Sequence, residues 1–495
     1  MKLLKQQHQL LFSCLLILGI IGLCFLGFPE FSFRVITQAS LWVRTVFGQF
    51  YLILGVVILI YLCTIAFSPL GKQKLGKQPP EYSTLSWLAM MYSTGMGAGI
   101  ILRAVQEPVF MMQNPQIELS RPEVIYGLEM TFYHWGFTAW GFYGLFAVFI
   151  AYLLFIQRKN IQLSHIIPKS KLPNLTLPID LLVIITTVFG VVSAVALGIR
   201  QLKGGLNFIT EVELDFLSTV LLCFLIFGLA LTSSIRGLNK GIQRLSNLNI
   251  GLTLVLLSYV IIQTDFSLLV HHLFHSVKAL IFDFIPLSLA IGEFNFNEEF
   301  LSDWTYYYWA FWLAWAPFTG IFIARISKGR SLRQLILGVL LVPSLGTFLW
   351  FTSFGTSAIE LIDVGLLSSS AFNDVFTATF VLLNQYPLGM FAVILAILLL
   401  FGFLITSVDS AIFVLSMFSD LTKIDPSTIH KWLWGLLLFV FTLGFLVLGN
   451  YSAAANVLEA VQKLLIVSSL ALALLSVVFM FFFGLRLLKS YKSKS

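Results

Sequence analysis

Apolar residues run in long blocks along this chain, and most polar residues fall between them. Twelve blocks stand out, at about 10–28, 48–68, 85–112, 131–156, 178–201, 215–234, 245–263, 304–324, 334–354, 386–415, 430–450 and 459–485. Most come close to the ~20 apolar residues that a helix needs to cross the hydrocarbon of a bilayer. The pattern predicts an all-α polytopic membrane protein with twelve transmembrane helices. Between the seventh and eighth blocks, FSLLVHHLFHSVKALIFDFIPLSLAIG is apolar but carries His271, His272, His275 and Lys278 on one side of a helical pattern. That segment reads as an amphipathic helix lying in the interface. His271 and His275 have the spacing of a metal pair but no obvious third ligand, so interfacial packing is the better reading.

Composition agrees with the pattern. Hydrophobic residues make up 58% of the 495 and charged residues 11%, and mean hydropathy is +0.92, which is incompatible with a soluble surface of this size. The net charge of +7 sits in short loops and does not point to nucleic acid. With twelve spans both termini share one side. The basic residues there are Lys2, Lys5, Lys72, Lys74, Lys77, Arg158, Lys159, Lys169, Lys171, Arg236, Lys240, Arg244, Arg325, Lys328, Arg330, Arg333, Lys423, Lys431, Arg486, Lys489, Lys492 and Lys494. The other side has Arg34, Arg44, Arg121, Lys203 and Lys278. This asymmetry predicts both termini in the cytoplasm. The first block lacks a small-residue cleavage site and is kept as a span. Cys14, Cys24, Cys63 and Cys223 lie in apolar runs without metal spacing and read as packing residues. No nucleotide-binding loop, zinc pattern or nucleophile elbow appears, and the loops are too short for a soluble catalytic domain. Transport driven by ATP on this chain alone is therefore not expected.

Two aromatic clusters lie inside membrane-length blocks: Trp135, Trp140 and Tyr143 in HWGFTAWGFY, and Trp309, Trp312 and Trp315 in WAFWLAW. Aromatic packing or an interfacial girdle is the plain explanation for either. Together they suggest a cage whose ring faces receive a cation, with a quaternary ammonium group as the natural guest. The third block carries Gly95-Met96-Gly97-Ala98-Gly99 midway. Three alternate glycines weaken a helix, and a break there exposes amides and carbonyls at membrane depth, where an anionic group or a cation can bind. The alternative is a close glycine-mediated helix crossing.

From the third block to the start of the twelfth the chain resembles the betaine/carnitine/choline transporter family. The stretches that carry the resemblance are GMGAGIILRAVQEP, TFYHWGFTAWGFY, TTVFGVVSAVALGIRQLKGGL, SSIRGLNKGIQRLSN, WAFWLAWAPFTGIFIARISKGR, GVLLVPSLGTFLWFTSFG, ITSVDS and VQKLLIVSS. The resemblance implies two inverted five-helix repeats of the LeuT-like kind, preceded by two extra helices, often assembled as a homotrimer among membrane lipids. Residues 1–70 would hold the extra helices, 80–263 the first repeat, 264–303 the interfacial helix, 304–485 the second repeat and 486–495 a short basic tail. It implies substrate binding by Trp135, Trp140, Tyr143 and Trp312, with Trp315 near the cytoplasmic exit, beside the broken helix at Gly95, Met96, Gly97 and Gly99.

Choline carriers of this kind tend to have an acid at the third glycine of the motif. Here it is Gly99, which favours a zwitterion such as glycine betaine; carnitine, proline betaine, ectoine or a sulfonium analogue has the same chemistry. By resemblance, one sodium site would use Ser93, Met96, Phe403, Thr406 and Ser407, whose hydroxyls suit a hard cation, though such hydroxyls also bond their own helix. A second would pair Thr187 with Phe318 and a hydroxyl at position 191, but valine stands there. Arg103 takes the place of an aromatic residue and is expected to pair with Glu107 four residues on. Arg200, near the end of the fifth block, either snorkels outward beside Lys203 or acts as a surrogate for a bound cation. Lys463 is expected to pair with Glu459.

The function expected is secondary transport of a quaternary-ammonium zwitterion, sodium-coupled, with no other cofactor. A sodium-independent or proton-coupled carrier or exchanger is the alternative. A transport-incompetent osmosensor would usually carry an output domain, whereas here about ten residues follow the last span. A membrane enzyme finds only Asp409 in TSVDS, without a catalytic partner.

Overall fold

The computed structural model describes residues 2–95, 97–168, 171, 174–236, 239–420, 426–450 and 456–492. Among them every regular element is helical, apart from one isolated bridge between Lys74 and Ser331. Helices α1 (Lys2–Gly27) and α2 (Pro29–Phe67) form the N-terminal pair. Pro29 sits in the first turn of α2, where a missing amide donor costs nothing, so the second helix starts almost where the first ends. α2 is 39 residues long and begins well before the apolar block read at 48–68. Glu30, Arg34 and Arg44 interrupt the hydrophobic pattern without ending the helix.

The third block is broken twice, into α3 (Thr84–Gly95), α4 (Ala98–Arg103) and α5 (Gln106–Gln113). The first break falls in the glycine motif, where Gly97 is extended (φ −146°, ψ −170°). The second lies at Ala104–Val105. Pro108 lacks the amide that would bond the Ala104 carbonyl, so the helix cannot run through. The fourth block is also interrupted: α6 (Glu123–Trp135) ends at Gly136, and α7 (Phe137–Ala151) restarts after it. A side chain at Gly136 would stand 2.5 Å from both the Phe132 carbonyl and the Phe348 ring, so the hinge needs glycine.

The first half closes with α8 (Thr176–Thr210), α9 (Phe216–Arg236), α10 (Asn239–Gln263) and α11 (Phe266–Leu289). A short α12 (Glu298–Phe300) passes through a π-helical stretch, Leu301–Tyr306, into α13 (Tyr307–Ile326). α14 (Leu332–Asp363), the short α15 (Ala378–Leu383), α16 (Gly389–Ser419), α17 (Thr428–Leu448) and α18 (Val457–Lys492) complete the chain.

Among the described residues twelve helices are long and apolar enough to cross a membrane, but they are not the twelve blocks expected. The broken α3–α5 path falls out by length and α11 enters. α11 leans across the ends of two helices: the Asp265 amide meets Glu360 near the end of α14, and the Ser276 hydroxyl meets the Ile125 carbonyl in the first turn of α6. Asp283 pairs with Arg121 just before α6. The histidines divide differently from the expected polar side. His272 is buried against Thr356 at 3.0 Å, while His271 and His275 stack outside at 4.0 Å between ring centroids.

Some helix partnerships correspond when the two halves are exchanged. α7 packs on α13 as α14 packs on α3 and α5, and α8 packs on α17 and α18 as α16 packs on α9 and α10. α8 meets α16, and α9 meets α17, across the exchange itself. Lipid supplies no hydrophobic drive for helix association, so close approach of small residues matters. Gly190 on α8 lies against Ala314 on α13, and Gly320 on α13 against Phe146 and Ala147 on α7. All four cysteines are free. Lys463 bonds Glu459 at 2.5 Å, as expected.

Candidate functional site

The interruptions in the third and fourth blocks meet at a cavity of about 320 Å³ in the middle of the bundle, walled by α3, α4, α6, α7, α8, α10, α13 and α16. Trp135, Tyr143, Trp312 and Trp315 line it, together with Gly97 and Gly99. Trp312 is the centre of the aromatic wall: its ring lies 5.0 Å from Trp135 at 72° and 5.9 Å from Tyr143 at 89°. Trp315 stands edge-on to Phe318 at 5.0 Å, further along α13.

Every indole N–H in this wall already has an acceptor. Trp312 donates to the His134 carbonyl at 2.9 Å and Trp315 to the Gly190 carbonyl at 3.1 Å. Trp135 donates to Glu107 at 3.0 Å. What the rings offer the cavity is therefore π surface rather than hydrogen bonds, and π surface attracts cations. No charged side chain lines the cavity among the described residues. Its polar side chains are mainly hydroxyls: Thr406, Ser407 and Ser410 on α16, Ser93 on α3, Ser246 on α10 and Thr319 on α13.

Several expected site residues stand elsewhere. Trp140 does not line the cavity; it is buried edge-on behind Tyr143 at 5.4 Å and 90°. The helix restarts at Gly136, so Trp135 and Trp140 do not continue one helical face. Gly95 ends α3, and Met96 lies outside the described residues. Phe403 is buried and off the lining, with its carbonyl accepting the Thr406 hydroxyl at 3.1 Å. Thr187 is buried with its hydroxyl bonded to the Val183 carbonyl at 2.7 Å, and beside it Val191 presents only carbon; of that second set Phe318 alone lines the cavity. Arg200 is not in the wall either, and its guanidinium lies 5.7 Å from the Phe376 ring centroid. Arg103 does not bond Glu107. It donates to Gln106 at 2.5 Å and lies 4.8 Å from the Trp304 ring centroid.

Glu107 has a different role, which spacing alone did not reveal. One of its oxygens accepts from Trp135 and from the Tyr308 hydroxyl; the other faces His134 Nδ1 at 3.1 Å. Glu107 and His134 are wholly buried, and His134 Nε2 is 3.3 Å from the Thr305 hydroxyl. With its proton on Nδ1, His134 donates to the carboxylate and accepts from Thr305. This hub fixes Trp135 directly, and the carbonyl of the same His134 holds Trp312. The available signal was an acid inside an apolar block, costly enough to mark a structural or functional centre. Asn249 on α10 was also missed. Its amide donates to Thr406 at 3.4 Å, and its buried carbonyl oxygen has no partner among the described residues.

The sequence profile described as BCCT, betaine/carnitine/choline family transporter, matches residues 9–492. The chain belongs to this family. The protein is thus a multi-pass membrane transporter and not an enzyme. Among curated members of the betaine/carnitine/choline transporters, it is 34% identical to the glycine betaine transporter OpuD of Bacillus subtilis, over 86% of this chain and 85% of that protein. It is 32% identical to an ectoine/hydroxyectoine transporter of Virgibacillus pantothenticus, over 90% and 89% respectively. It is 33% identical to a high-affinity choline transport protein of Escherichia coli, over 87% of this chain and 65% of that one.

Proposed function

We propose that this protein imports a quaternary-ammonium zwitterion, with glycine betaine as the first choice, by alternating access coupled to sodium. The observation that carries this reading is a cavity walled by π surface with no charged side chain of its own among the described residues. A tetraalkylammonium head is held by ring faces, and a guest of zero net charge suits a neutral wall better than a bare cation. Gly99 fits the same choice. A side chain there would meet the Trp135 ring at 3.4 Å, so the position has room for a contact group, and the chain supplies no acid for a choline hydroxyl.

Sodium is the coupling ion in this reading, at a site built from Ser93, Thr406 and Ser407, with the Phe403 carbonyl and Met96 as further ligands. Hydroxyl and carbonyl oxygens are the hard ligands that such an ion takes. Thr187 and Phe318 contribute no second site here, and a stoichiometry of one ion follows. Arg200, beside Phe376 and away from the cavity wall, acts as a packing residue rather than a cation surrogate. The same reading has both termini in the cytoplasm. Lys72, Lys74, Lys77, Arg158 and Lys328 gather in one cleft at one end of the bundle, the distribution that a cytoplasmic face has. A homotrimer in lipid is the assembly the family suggests.

Uptake of labelled glycine betaine into proteoliposomes tests the whole reading, with carnitine, choline, proline and ectoine as competitors. Uptake should depend on sodium. Thr406→Ala combined with Ser407→Ala should raise the sodium needed for half-maximal rate at least tenfold at unchanged protein level. Full wild-type uptake without sodium and without a proton gradient would refute symport and leave exchange or facilitated diffusion.

Gly97 gives a second test. Its extended backbone is open to any residue, and nothing lies within 4 Å of where a side chain would start. Gly97→Val should therefore assemble normally while its isopropyl group enters the cavity. A loss of at least tenfold in betaine affinity is expected at wild-type thermal midpoint. Wild-type affinity would leave Gly97 as a helix break only.

A further inference from the structure

A second, smaller cavity of about 30 Å³ lies behind the aromatic wall. It shares Ala98, Gly99, Trp135, Ala194 and Phe311 with the larger one, so the two adjoin across Trp135 and Phe311. Its distinctive member is Arg103, at the end of α4, facing Tyr307 and Tyr308 from the start of α13. The larger cavity extends the other way along α13, to Phe322 and Ile326. Arg325 and Lys328, assigned to the cytoplasmic side, follow directly. Arg103 therefore stands on the outer side of the cage.

Arg103 is 4% exposed as a residue, and no carboxylate lies within ion-pair reach of its guanidinium among the described residues. Glu107, the nearest acid in sequence, is held by His134, Trp135 and Tyr308. Arginine has five N–H donors. One goes to Gln106, one face lies over Trp304, and no other protein acceptor reaches the group among the described residues. A desolvated cation with unused donors and a void beside it is costly to keep, and such a group is suited to an anion arriving without its water. The void exceeds the ~10–15 Å³ that one water needs, so it has room for a small planar group.

We propose that Arg103 receives the carboxylate of the incoming substrate on the outer side of the cage and selects zwitterions over cations. The proposal rests on the transport reading above. The guanidinium pairs with a carboxylate through parallel N–H donors and repels a guest that carries only positive charge. α4, six residues long, is too short for its dipole to serve instead.

The test is uptake and competition in proteoliposomes with wild type, Arg103→Gln and Arg103→Lys, reading the ratio of inhibition constants for glycine betaine and choline. Arg103→Gln should weaken betaine at least tenfold and leave choline unchanged or tighter, so the ratio moves by at least a factor of ten. Arg103→Lys keeps the charge without the fork and should fall between, and it carries the test if the glutamine variant does not assemble. An unchanged ratio, whether both constants rise together or neither does, overturns the assignment and leaves Arg103 as a packing residue beside Gln106 and Trp304. Wild-type protein that takes up no betaine overturns the transport reading itself; wild-type uptake with an unchanged ratio overturns only Arg103.

Discussion

Replacing Trp312 with leucine is expected to weaken betaine uptake at least tenfold, while phenylalanine or tyrosine keeps part of it. The ring is flanked at 5.0 Å by Trp135 and at 5.9 Å by Tyr143, so it contributes the central face of the aromatic wall. A cation over a desolvated ring is stabilised by ~2 kcal/mol, and ~1.4 kcal/mol already corresponds to a factor of ten in affinity. Leucine removes the quadrupole and leaves the His134 carbonyl without its 2.9 Å donor. Phenylalanine keeps the ring and loses only the donor, so comparing the two separates π attraction from anchoring. Measured as uptake at matched membrane expression, an unchanged rate in Trp312→Leu would remove this residue from the site.

The second large effect is expected at Glu107. Glu107→Ala deprives the Trp135 indole, the Tyr308 hydroxyl and His134 Nδ1 of their common acceptor, in a region closed to water. Each buried group left unsatisfied costs ~1–3 kcal/mol, so the total is several kcal/mol. The variant should lose uptake and melt well below wild type in detergent, followed by tryptophan fluorescence. Glu107→Gln keeps one acceptor oxygen and should melt closer to wild type, with uptake still reduced because its amide is a donor where an acceptor was. A wild-type melting curve and wild-type uptake in Glu107→Ala would show that the hub does not support the cage.

The two variants test different parts of one device. Trp312 presents the central ring of the cavity wall, and Glu107 holds its neighbour Trp135. In a bundle whose helices gain nothing from the hydrophobic effect against lipid, a buried hydrogen-bonded centre is one of the few ways to hold rings in register.

Much of this was decided by sequence. A bilayer admits only helices or closed barrels, so apolar blocks of membrane length determine the class and nearly all the spans. The glycine motif located the first break, because alternate residues without side chains weaken a helix wherever it packs. Density of tryptophan within membrane blocks marked the rings from both halves of the chain that line the cavity. Tertiary structure decided which rings face inward. The hinge at Gly136 redirects the helix and puts Trp140 behind Tyr143, a rotation that ideal helical spacing does not contain. It also decided the partners of charge. Spacing joined Arg103 to Glu107 along one helix, but the break at Ala104–Val105 separates them. Glu107 instead takes donors from α6 and α13, 27 to 201 residues away in sequence, and Arg103 faces a cavity. Local pattern sets where a chain can be helical and where it must bend; which side chains meet across a bend depends on helices that no local pattern connects.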